Sequence, residues 1–160
     1  MSSQPAAVQR DFPLARLTTV RTGGHADFFA RPGNEGELLA VLAWAADEGL
    51  ALGVVGSGSN LLVADAGFRG LALKLSGELT AIEREDDGMV CGGGARFPSA
   101  SAKAASWGLA GIEFGVNIPG TAGGAVKMNA NAYGGQLARV LEWVEAVSYT
   151  HLTLPTNREV

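Results

Sequence analysis

The chain has 160 residues, of which 47% are hydrophobic and 18% charged, and its formal net charge is −4. That length suits one ordinary domain or two small lobes, and the composition is that of a globular protein. The net negative charge, without a basic cluster, argues against nucleic acid or an anionic membrane as a partner. No apolar run approaches the ~18 residues that a membrane-spanning helix needs, and the first residues lack a signal-peptide pattern. The single cysteine, Cys91, excludes an internal disulfide and favours a cytoplasmic location.

The first half of the chain is predicted to form a small α/β lobe, residues 17–75, after a loose lead-in at residues 1–16 that shows no periodicity. A helix is predicted from Asn34, a suitable N-cap, to Asp47, because apolar residues recur there at helical spacing. Strands are predicted at residues 27–31, 51–55 and 71–75. The strand–helix–strand order favours a parallel pair.

The second half, residues 76–147, is predicted to form another lobe with a different pattern. Asp86, Asp87 and Gly88 are a hairpin signal between two short strands. The predicted elements are strands at 79–84 and 89–92, a helix at 97–107 that ends near Gly108, and an apolar segment at 138–147. Three glycines, Gly92 to Gly94, are expected to let the chain bend sharply.

A loop of small residues follows the strand at 51–55. It contains Gly56, Ser57, Gly58, Ser59 and Asn60. Glycine permits close approach of a ligand, and successive N–H groups with nearby hydroxyls suit a phosphate or pyrophosphate. The alternative is an ordinary turn. The loop lacks the Rossmann fingerprint, because Leu61 stands where the third glycine would be. A dinucleotide held here would therefore need another fold.

A second glycine-rich loop occurs at residues 118–125, and two such loops in one small domain could clamp one extended ligand. Together with their flanks, the loops provide the motifs Thr19–Gly24, Gly56–Leu62, Gly111–Phe114, Ile118–Thr121 and Met128–Gly134. In this order, from about Leu17 to about Val147, these motifs resemble the UDP-N-acetylenolpyruvoylglucosamine reductase family, also called UDP-N-acetylmuramate dehydrogenase.

The resemblance implies an α+β fold: the two-lobed FAD-binding domain of the vanillyl-alcohol-oxidase/PCMH type, with the substrate domain missing from this chain. It implies FAD as the cofactor and NADPH as the reductant. The implied reaction reduces UDP-N-acetylglucosamine enolpyruvate, a nucleotide sugar, to UDP-N-acetylmuramate for peptidoglycan synthesis. Two alternatives remain: another flavin oxidoreductase of the same wider fold, or a non-catalytic flavin-binding or nucleotide-binding module.

The resemblance also implies which residues bind the cofactor. They are Gly56, Ser57, Gly58, Ser59, Asn60, Leu61, Ile118, Pro119, Gly120, Thr121, Gly123, Gly124 and Asn129. The first loop would hold the pyrophosphate, and the second would pack along the flavin and ribityl chain. Arg21 and Thr22 are expected to face the site, whereas Tyr133 could either stack near the ligand or cover the core.

No catalytic or metal-binding residue is assigned. The family's catalytic arginine, glutamate and serine lie downstream of the matched motifs, and neither Arg139 nor Glu145 occupies a matching position. The two histidines, His25 and His151, are far apart, and a single cysteine gives a transition-metal site little support.

The final residues, 148–160, do not continue the family pattern. They resemble a translated sequencing adaptor, so we predict a non-native tail and a natural gene that continues beyond Val147. The alternative is an ordinary C-terminal extension.

Overall fold

The structure is a computed structural model that describes residues 3–147 and 156–157. The strands and helices, in chain order, are β1 (Val8–Pro13), β2 (His25–Ala30), α1 (Glu35–Asp47), β3 (Leu52–Val54), β4 (Phe68–Leu73), β5 (Ile82–Glu85), β6 (Gly88–Cys91), α2 (Phe97–Ser106), α3 (Ala122–Met128), β7 (Asn131–Ala132), β8 (Gly135–Gln136), β9 (Val144–Glu145) and β10 (Thr156–Asn157). Short 3-10 helices occupy Leu14–Arg16, Gly77–Thr80, Glu113–Asn117 and Leu137–Arg139. The predicted tail lies outside the described residues except for β10, which pairs with β9.

A four-stranded sheet with the order β1-β2-β4-β3 organises the first half of the chain. β1 is antiparallel to β2, whereas β2 and β3 are each parallel to β4. The predicted parallel direction of β2 and β3 is therefore confirmed, but β4 lies between them and they are not a hydrogen-bonded pair. The carboxyl ends of the three parallel strands consequently share one edge of the sheet.

The prediction of a loose lead-in at residues 1–16 is wrong, because Val8–Pro13 forms β1. Only Val8 in this strand is fully buried, so the sequence shows no alternation. The strand is specified by its ladder with β2, which begins at Val8 opposite Ala30. Asp11 interrupts the ladder with a φ of +52°, and its carboxylate lies 2.8 Å from Nδ1 of His25.

Helix α1 begins as its capping residues predict. The Asn34 side chain accepts a hydrogen bond from Glu37 N at 2.9 Å, and the Glu37 carboxylate accepts one from Gly33 N at 2.7 Å. These reciprocal bonds satisfy N–H groups that have no partner within the helix. Gly49, with a φ of +63°, follows the helix in the left-handed conformation that glycine adopts readily.

Apolar side chains pack on both faces of the sheet. The cluster under α1 contains Val8, Ala30, Leu38, Val41, Leu42, Trp44, Ala45, Leu71 and Leu73. The cluster on the opposite face contains Leu14, Ala26, Phe29 and Ala72, with Leu17 and Val63 partly buried against it. A third cluster, in the second half of the chain, contains Phe97, Phe114, Ala125 and Leu137. The division into lobes at residues 75 and 76 stays a prediction.

The second half follows its local signals with two differences. The Asp86–Gly88 hairpin joins β5 to β6, and α2 forms where it was predicted. The strand predicted from residue 79 begins only at Ile82, because residues 77–80 form a 3-10 turn. The second difference concerns Ser101 on α2: a polar side chain on a helix is usually solvated, but this one is buried, and its hydroxyl donates to Ile112 O at 2.8 Å.

Within residues 3–147, none of the helices has the length and apolar character that crossing a membrane requires.

Candidate cofactor site

The first loop, Gly56–Asn60, begins just past the carboxyl end of β3. Among the described residues, none accepts a hydrogen bond from the backbone N–H groups of Gly56 through Asn60. Gly58 has a φ of +75°, and its carbonyl accepts a bond from Thr19 N at 3.3 Å. The loop therefore holds its shape through its carbonyl side and leaves a run of backbone donors for a ligand, which is the arrangement that suits an anion such as a pyrophosphate.

The two glycine-rich loops are in direct contact. The Ser59 hydroxyl donates to Pro119 O at 2.9 Å, and the Ser57 and Ser59 hydroxyl oxygens are 3.0 Å apart. A Cβ atom on Gly56 would lie 2.6 Å from Thr121 Oγ1, so only glycine lets the loops approach this closely. The structure thus brings together the two glycine-rich loops that are predicted to hold one extended ligand.

The second loop is held in place by a run of three glycines at residues 92–94. Gly123 N donates to Gly93 O at 2.9 Å, and Phe97 N donates to Gly120 O at 3.0 Å. The sequence predicts only a bend at these three glycines and does not predict their contact with the loop. The signal in the sequence is the run of three glycines itself, because consecutive glycines permit close packing. In the structure, a Cβ on Gly94 would lie 2.9 Å from Leu75 Cβ.

Thr121 joins the second loop to α3. Its hydroxyl accepts a hydrogen bond from Gly124 N at 3.3 Å, which makes Thr121 the N-cap of the helix. The Thr121 side chain is buried and also contacts the Gly56 position. One residue thus fixes the start of α3 and the distance between the two loops.

The space around Gly120 shows whether a flat cofactor has room beside the two loops. Apart from its two chain neighbours, no atom of the described residues would lie within 4 Å of a Cβ built at Gly120, whereas a Cβ at Gly56 or Gly58 would collide with the protein. The backbone at Gly120 therefore borders open space beside the loop contact. Open space next to a run of free backbone donors fits a dinucleotide with a planar ring system.

Residues 17–24 pack against the first loop and against the segment that follows it. A Cβ on Gly58 would strike the Leu17 carbonyl, and a Cβ on Gly23 would lie 2.5 Å from Val63 Cβ. Arg21 is exposed with a φ of +55°. That Arg21 and Thr22 face the ligand stays a prediction, but their segment borders the first loop.

Two expected residues lie away from the loop contact. Asn129 ends α3 in the left-handed conformation, at a φ of +44°, and its side-chain oxygen accepts a bond from Ala138 N at 3.1 Å. Tyr133 is 84% exposed at the tip of the β7–β8 hairpin, so it does not cover the core. An open cavity of about 360 Å³, lined by residues 131–136 and Arg139, adjoins this hairpin and not the two loops.

Glu113, in the Gly111–Phe114 motif, has a structural task. Its carboxylate oxygens accept from Gly111 N at 3.0 and 3.1 Å. Backbone N–H groups, its own and that of Gly111, hold the pKa of Glu113 below its usual value. The ionised carboxylate therefore fixes the turn that leads into the second loop.

Comparison with known proteins identifies the family. Residues 26–150 match the FAD binding domain family. The chain belongs to this family. The expected α+β FAD-binding fold is thereby confirmed, and FAD is the cofactor of this FAD binding domain.

The resemblance to UDP-N-acetylenolpyruvoylglucosamine reductases is also confirmed. The chain is 43% identical to the enzyme of that name from Rubrobacter xylanophilus, over 87% of this chain and 47% of the relative. It is 38% identical to the Staphylococcus aureus (strain Newman) enzyme of that name, over 88% of this chain and 46% of the relative. The chain thus spans about half the length of these curated relatives.

A solved structure agrees with the sequence relatives. The crystal structure of UDP-N-acetylenolpyruvylglucosamine reductase from Thermus caldophilus superposes with a TM-score of 0.76 at 34% identity. The match covers 93% of this chain and 52% of the other. The chain therefore shares its fold with this enzyme over the matched part.

Proposed function

We propose that the chain is the FAD-binding portion of a reductase that uses NADPH to reduce UDP-N-acetylglucosamine enolpyruvate to UDP-N-acetylmuramate in peptidoglycan synthesis. The contact between the two glycine-rich loops, through Ser59 and Pro119, carries this proposal, because it joins two sets of ligand-accessible backbone in one site. The relatives named above supply the activity and the nucleotide-sugar substrate. The cytoplasmic location is part of the same proposal.

In this proposal each loop has a separate task. The free N–H groups of Gly56 through Asn60, with Leu61 next to them, bind the pyrophosphate of FAD. Residues 118–121, followed by Gly123 and Gly124, lie along the flavin and ribityl chain, and Gly120 gives the ring system room. Asn129 belongs to the proposed set through its position at the end of α3 and not through a contact with either loop.

FAD when bound supplies a flavin that takes up a hydride from NADPH and passes it to the substrate. The residues of this chain bind and orient that group and exclude water from it. We assign no acid, base or electrophile for the reduction to the chain, because the resemblance places the family's catalytic residues downstream of the matched motifs.

The first test is an absorption spectrum of the purified chain after addition of FAD and removal of the excess. Retained bands near ~370 and ~450 nm, the signature of bound oxidised flavin, are expected. A folded chain that retains no flavin would contradict the assigned site.

The second test addresses the activity and uses the complete gene product. NADPH oxidation that depends on UDP-N-acetylglucosamine enolpyruvate is expected. FAD binding without such turnover would indicate another flavin oxidoreductase of the same fold, and FAD binding without any NADPH oxidation would indicate a flavin-binding module.

A further inference from the structure

Two cationic residues directly follow parallel strands whose carboxyl ends share a sheet edge with the Gly56–Asn60 loop. Arg31 directly follows β2, and Lys74 directly follows β4. The central strand β4 has β2 on one side and β3, which leads into the loop, on the other. Neighbouring strands are ~4.8 Å apart, so both cations start within a few strand spacings of the loop.

The hydrogen-bonded ladder continues past the ends of the strands and fixes this arrangement. Lys74 N donates to Ala30 O at 3.0 Å, and Val55 N donates to Leu73 O at 2.8 Å. The chain therefore keeps its sheet register up to Lys74 on one strand and to Val55, the residue before the loop, on the next.

Strand alternation places both side chains on the loop side of the sheet. Leu73 packs under α1, whereas Ala72 packs on the opposite face. Successive side chains point to opposite faces, so Lys74 shares the face of Ala72. Leu17, whose carbonyl lies against Gly58 of the first loop, is packed against that same face. Val63, which follows the loop and lies against Gly23, is packed there too.

Arg31 obeys the same alternation. Ala30 lies in the cluster under α1 and Phe29 lies in the cluster on the opposite face. Arg31 therefore projects on the side of Phe29, which is also the side of Lys74. The two positive charges are near enough for Arg31 to disfavour the protonated form of Lys74.

Neither cation has an anionic partner among residues 3–147. The ion pairs there join His25 to Asp11 and Arg69 to Asp27. Burial, and then the charge of Arg31, lower the pKa of Lys74 from its ordinary value. Two adjacent positive charges, one of them partly buried, oppose each other until an anion lies between or beside them.

We propose that Lys74, with Arg31 beside it, binds a phosphate group of a dinucleotide held at the Gly56–Asn60 loop. This inference rests on the proposed function, which places a dinucleotide at that loop. The phosphate chemistry is common to the diphosphate of FAD and to the phosphates of NADPH. The ammonium adds a charge-assisted bond to the neutral backbone donors of the loop.

The test measures FAD affinity for the apo form of the complete gene product by flavin fluorescence. K74M is expected to bind FAD about tenfold more weakly or worse, which corresponds to the loss of one hydrogen bond to a charged group. K74R keeps the charge and should remain close to the wild type. K103M is the matched control, because the Lys103 ammonium already donates to Ile82 O at 3.0 Å on the second half of the chain.

Riboflavin, which has no phosphate, separates a phosphate contact from a structural role. K74M should bind riboflavin as the wild type does. A loss for riboflavin as large as the loss for FAD would mean that Lys74 supports the fold, and it would overturn the inference.

The two phosphate sources give different results. Weaker FAD binding by K74M identifies the diphosphate of FAD. Unchanged FAD binding with a higher NADPH concentration for half-maximal flavin reduction would place Lys74 at a phosphate of NADPH away from the loop, and it would overturn the inference. If both quantities are unchanged while the wild type binds FAD, this inference fails and the proposed function stands. If the wild type binds no FAD, the proposed function fails and the inference falls with it.

Discussion

The glycines of the candidate site differ in the physical reason why each position holds a glycine. Gly58 combines a φ of +75° with a backbone contact at Leu17 that leaves no room for a side chain. Gly56 has no room because Thr121 is adjacent. Gly120 meets neither condition, since a Cβ there would have no neighbour within 4 Å in the part of the chain that the structure describes, its adjacent residues apart. The fold requires the first two, whereas only a ligand would require the third.

Gly120→Ala is therefore expected to leave the folded protein intact and to impair the site. The free energy of unfolding of the FAD-free protein should change by no more than about 0.5 kcal/mol, as for a substitution that meets no neighbour. FAD should bind about tenfold more weakly if the flavin lies against this backbone. Urea unfolding and flavin fluorescence measure the two quantities.

The matched control is Gly36→Ala in the exposed first turn of α1, where a Cβ would make only an ordinary 3.5 Å contact with the Asn34 side chain. It should leave FAD affinity unchanged. Normal FAD binding by Gly120→Ala would contradict a close approach of the flavin at that residue.

Cys91 allows a pH prediction at the same scale. Burial raises the pKa of its thiol above the ordinary value, and the nearby Lys103 opposes this effect in part. The thiolate is the reactive form, so a raised pKa makes it scarce at a pH where an exposed cysteine is already partly ionised. The midpoint of the pH–rate profile for alkylation by iodoacetamide should therefore lie higher in the folded protein than in urea.

The midpoint is the informative quantity, since burial alone also slows alkylation at every pH. A folded-state midpoint at or below that of the unfolded chain would show that the Lys103 charge outweighs burial. The variant Lys103→Met should move the folded midpoint further upward, because it removes the charge that favours the thiolate.

Among the elements, those with strong local signals could be predicted from the sequence. Helix α1 has a capping residue, Asn34, and apolar residues at helical spacing, and the β5–β6 hairpin has the Asp86–Gly88 turn. Strand β1 was missed because its residues show no alternation and its stability comes from β2, which is remote in sequence. The insertion of β4 between β2 and β3 depends likewise on long-range pairing.

The candidate site follows the same rule. Its two glycine motifs could be found because glycines, hydroxyls and their order are visible in the sequence. The packing of Gly93 behind Gly123 and of Leu17 against Gly58 could not, because each contact joins segments that only the folded chain brings together. The buried hydroxyl of Ser101 was missed for the same reason.

The variant Asn34→Ala tests how much the N-cap of α1 contributes to the stability of the core beneath this helix. The substitution removes the bond to Glu37 N, and a lost N-cap costs about 1 kcal/mol of stability. The loss should appear in the whole unfolding transition, because α1 supplies Leu38, Val41 and Trp44 to the core. Asn34→Asp keeps a capping oxygen and should unfold nearly as the wild type does. Equal loss from both variants would mean that the cap does not determine the stability of α1.

At the scale of the whole molecule, residues 140–147 carry a group of large apolar side chains that are only partly covered. Val140, Leu141, Trp143 and Val147 are each between 37% and 42% exposed, although all are large apolar residues. The curated relatives reported above are about twice as long as this chain. Further sequence in such a relative could cover these side chains and bury their apolar surface.

We predict that the isolated chain is less stable than the complete gene product and shows no turnover. The physical reason for the first part is the exposed apolar surface. The reason for the second is the expectation, from the family resemblance, that the catalytic arginine, glutamate and serine lie downstream of the matched motifs. Urea unfolding of both proteins and NADPH oxidation with the enolpyruvyl substrate provide the comparison. Turnover by the isolated chain at the rate of the complete protein would refute this prediction.

The hydrogen bond between Ser59 and Pro119 has a consequence for biosynthesis, because its partners are 60 positions apart in the chain. A nascent polypeptide that has just emerged as far as the β5–β6 hairpin already contains the first loop and the complete four-stranded sheet. It still lacks every residue of the second loop. Ribosomes add about 5–20 residues per second, so several seconds separate the synthesis of the first loop from the synthesis of the second. FAD capture is therefore a late step, and the growing chain must fold its first half without help from the cofactor.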